Sequence, residues 1–154
     1  MKKIIFLVIS IYYLNISGYG QDWIRIYGQG LNAVGMYVIE DYDRGFDILG
    51  MVNNYKYAWL IKTDVNGNIL WDKRFGNGQY DIGSSNIEQT NDGGYILCGT
   101  MEKYGSADAY IIKLNACAEI EWCKVLRTPK NYDIAVRVKQ TFEGDFVMLG
   151  AYFG

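Results

Sequence analysis

The feature that most restricts the fold is an internal repeat of about 50 residues. Three tryptophans, Trp23, Trp71 and Trp122, open matching segments at spacings of 48 and 51 residues. Further along each repeat come a turn with a glycine, an aromatic residue, an apolar run and a closing glycine, in YDRGFDILG, NDGGYILCG and FEGDFVMLG. A third block, AWLIKTDVNGNILW, matches AYIIKLNACAEIEW. The chain therefore repeats one structural unit.

Each unit predicts a meander of four short strands. VGMYVIE and SSNIEQT alternate well enough for a first strand, while GFDILGMV and YAWLIKT are apolar on both faces, as expected for strands covered on both sides. Asn66-Gly67 is a strong hairpin signal before the fourth strand, which carries the tryptophan. The corresponding turn, Asn115 to Ala118, lacks the glycine, so we expect it to be less regular. A composition of 18 Gly, 1 Pro and 16% aromatic residues also favours strands and tight turns.

The predicted fold is all-β, a partial β-propeller-like array of four-stranded antiparallel blades. The sequence holds one leftover fourth strand (about 23–27), two complete units and two strands of another, or about 2.7 blades. The predicted units cover about 28–76, 77–127 and, incompletely, 128–154 of a repeat region at 21–154. Since a closed propeller takes at least four blades, we expect either a truncated piece of a longer protein or self-association through open sheet edges.

The N-terminus has the pattern of a secretory signal peptide over residues 1–20. Lys2 and Lys3 precede a mostly apolar run to Ile16, and Gly18 and Gly20 are small residues before the expected cleavage point. The alternative is an uncleaved membrane anchor, but the apolar run is short for a spanning helix. The sequence therefore predicts a secreted or cell-surface protein with no membrane span after cleavage.

Several kinds of chemistry are disfavoured by composition. The chain has no His, which excludes Ser-His-Asp and Cys-His arrangements and His-ligated metals. A net charge of −2 with mixed signs offers no basic stripe for nucleic acid. We predict no catalytic residue, no cofactor and no metal site, and the protein is not expected to be an enzyme.

Three weaker signals have ordinary structural explanations. Asp64 to Asn68 resembles half a calcium loop but lacks the closing bidentate acid, and a hairpin explains it. Asp81 and Asp133 recur before first strands, where Asx-type capping is the expected role. Cys98, Cys117 and Cys123 are an odd number in an oxidising compartment, and a Cys117–Cys123 disulfide would need a wide, irregular turn.

The aromatic residues divide into packing and binding candidates. The three repeat tryptophans hold a fixed place in each unit, which predicts packing between sheets rather than sugar stacking. Four tyrosines lie instead in predicted connections, where recognition usually occurs on a rigid scaffold. The candidate ligand-binding residues are Tyr55, Tyr80, Tyr104 and Tyr132.

The pattern W-x-K-x-[FY]-G, then Q-T-x-D-G-G-[YF]-I-L-x-G, then D-A-Y-I-I-K-L resembles the propeller-like repeat proteins of secreted and surface proteins of Bacteroidetes. The resemblance covers residues 22–154 and is most specific over Gln89 to Gly99 and Asp108 to Leu114. It implies a fold and a compartment rather than a ligand. Gly67 to Trp71 more faintly resembles the tryptophan-docking motif of quinoprotein dehydrogenases, whose cofactor site needs a closed ring.

The function we expect is a non-enzymatic binding or scaffold module with an unknown protein or glycan partner. The alternative is an accessory, carbohydrate-binding domain of a secreted carbohydrate-active enzyme. A fragment of a quinoprotein-like oxidoreductase is the remote alternative.

Overall fold

The computed structural model describes residues 24–128 and 132–152. The predicted signal peptide and Trp23 lie outside the described residues. The described chain is all-β, with ten strands, all antiparallel to their neighbours in the sheets, as the repeat predicted. It contains no helix, so none of its described segments is a helix that could cross a membrane.

The strands form three sheets in chain order. Sheet 1 has the order β1-β2-β3-β4, sheet 2 the order β5-β6-β7-β8, and sheet 3 is the hairpin of β9 and β10. The strands are β1 (Ala33–Glu40), β2 (Phe46–Val52), β3 (Tyr57–Thr63), β4 (Ile69–Phe75), β5 (Asp81–Gln89), β6 (Tyr95–Lys103), β7 (Ser106–Leu114), β8 (Ile120–Leu126), β9 (Asp133–Gln140) and β10 (Phe146–Tyr152).

The closing glycine of each repeat is explained by a bulge in the first strand. The pairing of first and second strands shifts register at Met36, Ser85 and Val136, which are equivalent positions of the three repeats. Gly50, Gly99 and Gly150 face these bulges, and a Cβ on any of them would collide with a carbonyl oxygen of the first strand. A side chain at this position would therefore displace the bulged strand.

The sheets pack face to face in chain order. One core cluster joins sheets 1 and 2 through residues such as Leu49, Leu60, Ile87 and Leu97, which are all buried. A second joins sheets 2 and 3 through Ile96, Cys98, Ala135 and Val138. The middle strands are apolar on both faces because each face meets a different neighbour.

The repeat tryptophans pack between sheets, as predicted. Trp71 of sheet 1 meets Tyr95 of sheet 2 edge to face, with ring centroids 6.2 Å apart. Trp122 of sheet 2 meets Phe146 of sheet 3 in the same way at 5.7 Å. Tyr95 and Phe146 are equivalent positions, so the two tryptophans have matching environments, and each fastens its sheet to the next.

Two local predictions were wrong. The turn at Asn115 to Ala118 is as regular as its counterpart, because Asn115 Oδ1 accepts hydrogen bonds from the amides of Cys117 and Glu119. Ala118 adopts the left-handed conformation (φ 55°) that Gly67 adopts in sheet 1 (φ 77°). Residues 24–28 form no strand, since no neighbouring strand pairs with them among the described residues.

The cysteines are unpaired in the described structure. Cys98 is buried in the core between sheets 2 and 3, whereas Cys117 and Cys123 are exposed. Burial raises the pKa of the Cys98 thiol to about 11, so this side chain acts as an apolar packing residue.

Candidate functional site

The four predicted binding tyrosines lie in connections at the same end of the sheets. Tyr55 lies between β2 and β3, Tyr80 between β4 and β5, Tyr104 between β6 and β7, and Tyr132 between β8 and β9. The backbone amide of Ile82, at the start of β5, donates to the Tyr55 carbonyl at 2.5 Å, which ties the Tyr55 connection to the strand that follows Tyr80. This end of the protein is called the tyrosine end below.

The tyrosine end contains an open cavity of about 280 Å³. It combines two aromatic rings with a hydroxyl, a carboxylate and two cationic side chains. Its lining residues are Tyr80, Met101, Lys103, Tyr104, Ser106, Asp108 and Arg127. The structure therefore brings together two of the four predicted tyrosines, Tyr80 and Tyr104.

The turn that carries Tyr104 is tight and uses left-handed backbone. β6 ends at Lys103 and β7 begins at Ser106, so the loop is the dipeptide Tyr104-Gly105, with φ 54° and 79°. Positive φ at both loop positions is typical of a type I′ turn, in which Asn or Asp usually precedes the glycine. Tyr104 is 96% exposed, so its ring contributes little to the core. An aromatic residue here has a conformational cost and presents its ring to solvent.

Lys103 lies between the two aromatic rings. Its Nζ atom is 5.1 Å from the ring centroids of both Tyr80 and Tyr104. This distance is within the range of cation–π attraction to both rings. Among residues 24–128 and 132–152, Lys103 forms no salt bridge, so its charge is available to a ligand.

The opposite side of the cavity is fixed by a two-point ion pair. Arg127 Nε and Nη2 donate to the two carboxylate oxygens of Asp108 at 2.9 and 2.5 Å. The hydrogen bonds and charge of Asp108 raise the pKa of the Arg127 guanidinium, which stays cationic. The Asp108 side chain is only 8% exposed while that of Arg127 is 67% exposed, so the guanidinium is the group that a ligand would meet.

The other two predicted tyrosines are outside the cavity lining. Tyr132 is joined to Ala107 by an isolated parallel bridge, next to the lining residues Ser106 and Asp108. Tyr55 is 51% exposed and its φ is 64°, in the loop before β3. Both lie at the tyrosine end.

Sequence reasoning missed the charged members of the cavity. Arg127 stands where the preceding repeat has Gly76, and Asp108 where it has Tyr57. The segment from Gly99 to Ala109 spans ten positions, against eight from Gly50 to Ala58. These departures from the repeat were the sequence signal that could have identified the charged residues. Positions that are shared between units have a packing role, whereas positions that differ do not have it.

A second polar group of residues is buried between sheets 1 and 2. In this group, called the Asp47 cluster, Lys62 Nζ forms salt bridges with Asp41 and, at 3.0 Å, with Asp43. The Tyr95 hydroxyl of sheet 2 lies 3.3 Å from Asp41 Oδ2 and 3.4 Å from Asp47 Oδ1. Asp47 Oδ2 is buried without a hydrogen-bond partner.

The Asp47 cluster has unusual proton affinities. Burial raises the pKa of Asp47 to about 7; Asp41 and Asp43 act in the same direction and Lys62 opposes them. Although burial opposes it, hydrogen bonding to Lys62 lowers the pKa of Asp41. Asp47 is 0% exposed and Tyr95 2%, so these two side chains cannot contact a dissolved substrate, whereas the Asp43 side chain is 56% exposed. The contact between Tyr95 and Asp47 joins sheets 1 and 2.

Asp64 and Asp133 have the structural roles expected from the sequence, whereas the capping role expected of Asp81 is not found. Asp64 accepts hydrogen bonds from the amides of Asn66 and Asn68 within its hairpin. Asp133 caps the preceding connection by accepting from the amide and hydroxyl of Thr128, whereas Asp81 forms a salt bridge with Lys56. No group of three or more acidic or cysteine residues in the described chain has the geometry to hold a metal ion.

No model of a known protein family matches this chain, and a search of curated proteins found no similar sequence.

Proposed function

We propose that this chain is a non-enzymatic, secreted or cell-surface binding module built of propeller-like β repeats. The observation that carries the proposal is the cavity at the tyrosine end, where the exposed ring of Tyr104, the half-buried ring of Tyr80 and the Lys103 ammonium come together at the turns of rigid sheets. Loops held by a scaffold are the usual place for recognition. The N-terminal pattern of residues 1–20 supports export.

The propeller-like arrangement is part of this proposal. Three features support it: sheets follow one another in chain order, each packs its face on the next, and the first strands β1, β5 and β9 lie beside one another. Together with the sequence pattern, these features support the resemblance to the propeller-like repeat proteins of Bacteroidetes.

A carbohydrate-binding accessory domain is the second candidate. Tyr80 and Tyr104 present two rings beside Ser106, Asp108 and Arg127, a combination that suits a sugar, whose apolar face stacks on an aromatic ring while its hydroxyls bond to polar groups. The unpaired ammonium of Lys103 favours saccharides that carry a carboxylate.

Binding to immobilised glycans and peptides tests both candidates. We expect the exported protein to bind members of one array, and Tyr80→Ala and Tyr104→Ala to abolish that binding. The matched control is Tyr42→Ala, which removes a tyrosine that is 73% exposed at the opposite end of the sheets. Binding to glycans supports the second candidate and binding to peptides the first.

Three results would overturn the proposal. If both cavity variants bind as the wild type does, the cavity is not the binding site. If the wild type hydrolyses or oxidises the ligands that it binds, the protein is an enzyme. Loss of binding in Tyr42→Ala together with the cavity variants would show that the rings act through stability rather than contact.

A further inference from the structure

The buried lysine of the third strand has different neighbours in the two complete sheets. Lys62 of β3 and Lys113 of β7 hold the same position of the repeat, and both are buried. Lys113 forms salt bridges with Asp92 and Glu121, whose side chains are 57% and 43% exposed. Its ammonium group is therefore neutralised by carboxylates that water still reaches.

Lys62 also meets two carboxyl groups that are shielded from water. Its Nζ atom contacts Asp41 Oδ2 and lies 3.9 Å from Asp47 Oδ1, and these two acid side chains are 5% and 0% exposed. Their equivalents in sheet 2 are Thr90 and Ile96, so both acids depart from the repeat. Removing two acids and an ammonium group from water is costly, and packing alone does not explain why the first repeat has them.

The two oxygens of the Asp41 carboxyl group have different surroundings. Oδ1 accepts a hydrogen bond of 2.5 Å from the backbone amide of Tyr42. Oδ2 contacts Lys62 Nζ and lies 3.3 Å from the Tyr95 hydroxyl. The same hydroxyl lies 3.4 Å from Asp47 Oδ1. A backbone amide therefore polarises one oxygen of Asp41, while Tyr95 connects the other oxygen to Asp47.

Asp47 can donate a proton at neutral pH. Burial raises the pKa of this carboxyl group to about 7, so a large share of the molecules carry its proton. Its Oδ2 atom is buried without a hydrogen-bond partner, which also favours the neutral form over the carboxylate. A protonated acid beside an amine and a second carboxyl group is the arrangement that general acid catalysis requires.

We propose that Lys62 and Asp41 react to form an intramolecular amide bond, with Asp47 as the proton donor. The bond between Lys62 Nζ and Asp41 Cγ forms, and the bond between Cγ and Oδ2 breaks. The Tyr42 amide stabilises the negative charge that develops on Oδ1. The reaction takes place once, within the chain's own sheet 1, and is independent of the ligand cavity, which is formed by other residues.

The protons of the reaction balance without another reactant. Although burial lowers it, hydrogen bonds to Asp41 and Asp43 raise the pKa of Lys62 overall, so the reaction starts from an ammonium group and a carboxylate. One ammonium proton passes directly to Asp41 Oδ2. Asp47 gives a second proton to Oδ2 through the Tyr95 hydroxyl and takes one from Nζ in return. Oδ2 leaves as water, one proton stays on the amide nitrogen, and Asp47 ends as it began.

Burial favours the amide over the ion pair. The product carries no charge on either side chain, so it avoids the desolvation that the ion pair suffers. The fold already holds the two groups in contact, which removes most of the entropic cost of bringing them together. Lys113 should stay unmodified, because its carboxylates are exposed and its repeat has Ile96 where the first has Asp47.

Mass spectrometry of the full chain tests for the bond directly. The intact mass should be lower by one water molecule than that of the same polypeptide without the bond. Trypsin does not cleave after an acylated lysine, so the digest should contain residues 26–44 joined to residues 57–73. This joined fragment distinguishes the bond from a succinimide at Asp92-Gly93, which would also remove one water. Normal cleavage after Lys113 is the internal control.

Three variants assign the roles of the acids. Asp41→Ala should give no joined fragment. Asp47→Asn keeps both reacting groups, and the joined fragment should form at least about a hundredfold more slowly, as is usual when a general acid is lost. Asp43→Asn is the matched control, because it removes the exposed carboxylate that meets Lys62 at 3.0 Å, and it should form the bond as the wild type does. Circular dichroism checks that each variant is folded.

The inference is wrong if the wild type has its full mass and trypsin cleaves it after Lys62. It is also wrong if Asp47→Asn forms the bond as fast as the wild type, since the buried acid would then have no part in the reaction. A Lys62 that is still joined to another residue in Asp41→Ala would contradict the assignment of Asp41 as its partner.

Discussion

Arg137 Nη2 donates a hydrogen bond of 2.8 Å to the Tyr37 hydroxyl, and so joins β9 of sheet 3 to β1 of sheet 1. These residues and Asn86 of β5 hold the same position in the three repeats. Asn86 Oδ1 in turn accepts from the Val138 amide of β9 at 2.9 Å. One repeat position therefore links the first strands of all three sheets.

This link predicts an energetic coupling between residues 100 positions apart in sequence. In a double-mutant cycle, Tyr37→Phe and Arg137→Ala should show a coupling free energy of about 0.5 kcal/mol in urea unfolding, as is usual for a solvent-exposed hydrogen bond. The control pair is Tyr37→Phe with Lys139→Ala, from the same strand, which should be additive. Additivity in both cycles would mean that the contact contributes nothing to stability.

The Asp47 carboxyl predicts a stability that falls as pH rises. Burial raises the pKa of Asp47 to about 7 in the folded chain, so the folded state binds a proton more tightly than the unfolded state. The stabilisation is complete below the unfolded pKa of about 4 and is lost as pH approaches 7, on the order of 4 kcal/mol in all. Unfolding in urea at several pH values between 4.5 and 8 measures it.

The variant Asp47→Asn should remove this pH dependence, because an amide does not titrate. Asp145→Asn, an exposed acid, is the control and should keep the wild-type slope. An unchanged slope in Asp47→Asn would place the titrating group elsewhere.

Removal of the Trp122 ring should loosen sheet 3 before the other sheets. Its ring packs on Phe146 and on the core between sheets 2 and 3. Trp122→Ala should cost about 2 kcal/mol, less than a fully buried tryptophan would. Amide exchange should accelerate in β9 and β10 while β2 and β3 stay protected, because stacked repeats depend on their neighbours.

The matching variant Trp71→Ala removes the contact with Tyr95 between sheets 1 and 2. It should accelerate exchange in sheet 1 rather than in sheet 3. Equal patterns of exchange in the two variants would contradict the assignment of each tryptophan to its own pair of sheets.

The structural features that the sequence predicted are those that recur in more than one repeat. The strands and the packing of Trp71 and Trp122 recur in more than one repeat, so a single physical explanation had to account for several segments at once. Gly50 is required because the neighbouring strand bulges towards it. That bulge depends on the register between the two strands, so the reason for the glycine could not be read from the sequence.

Residues that break the repeat could not be interpreted without the fold. Asp47 stands among apolar residues, where its equivalents are Ile96 and Val147, and its partner Tyr95 comes from the next sheet. Asp108 lies on β7 and Arg127 directly follows β8, so the two meet only through the pairing of β7 with β8. The four candidate tyrosines lie at one end of the sheets, but only two of them, Tyr80 and Tyr104, line the cavity.

At position 104 we expect stability and ligand binding to favour different residues. Asn is the residue that the first position of a type I′ turn favours, so Tyr104→Asn should relieve the cost of left-handed backbone at an aromatic residue and stabilise the protein by about 0.5 kcal/mol. The same change removes the ring next to Lys103, so binding at the cavity should be lost. Thermal unfolding and the array assay measure the two effects on one protein. Tyr104→Phe is the control, since it keeps the ring and the backbone cost and should change stability little. A variant Tyr104→Asn that is less stable than the wild type would show that the ring stabilises the turn, and the case for Tyr104 as a binding residue would lose its structural basis.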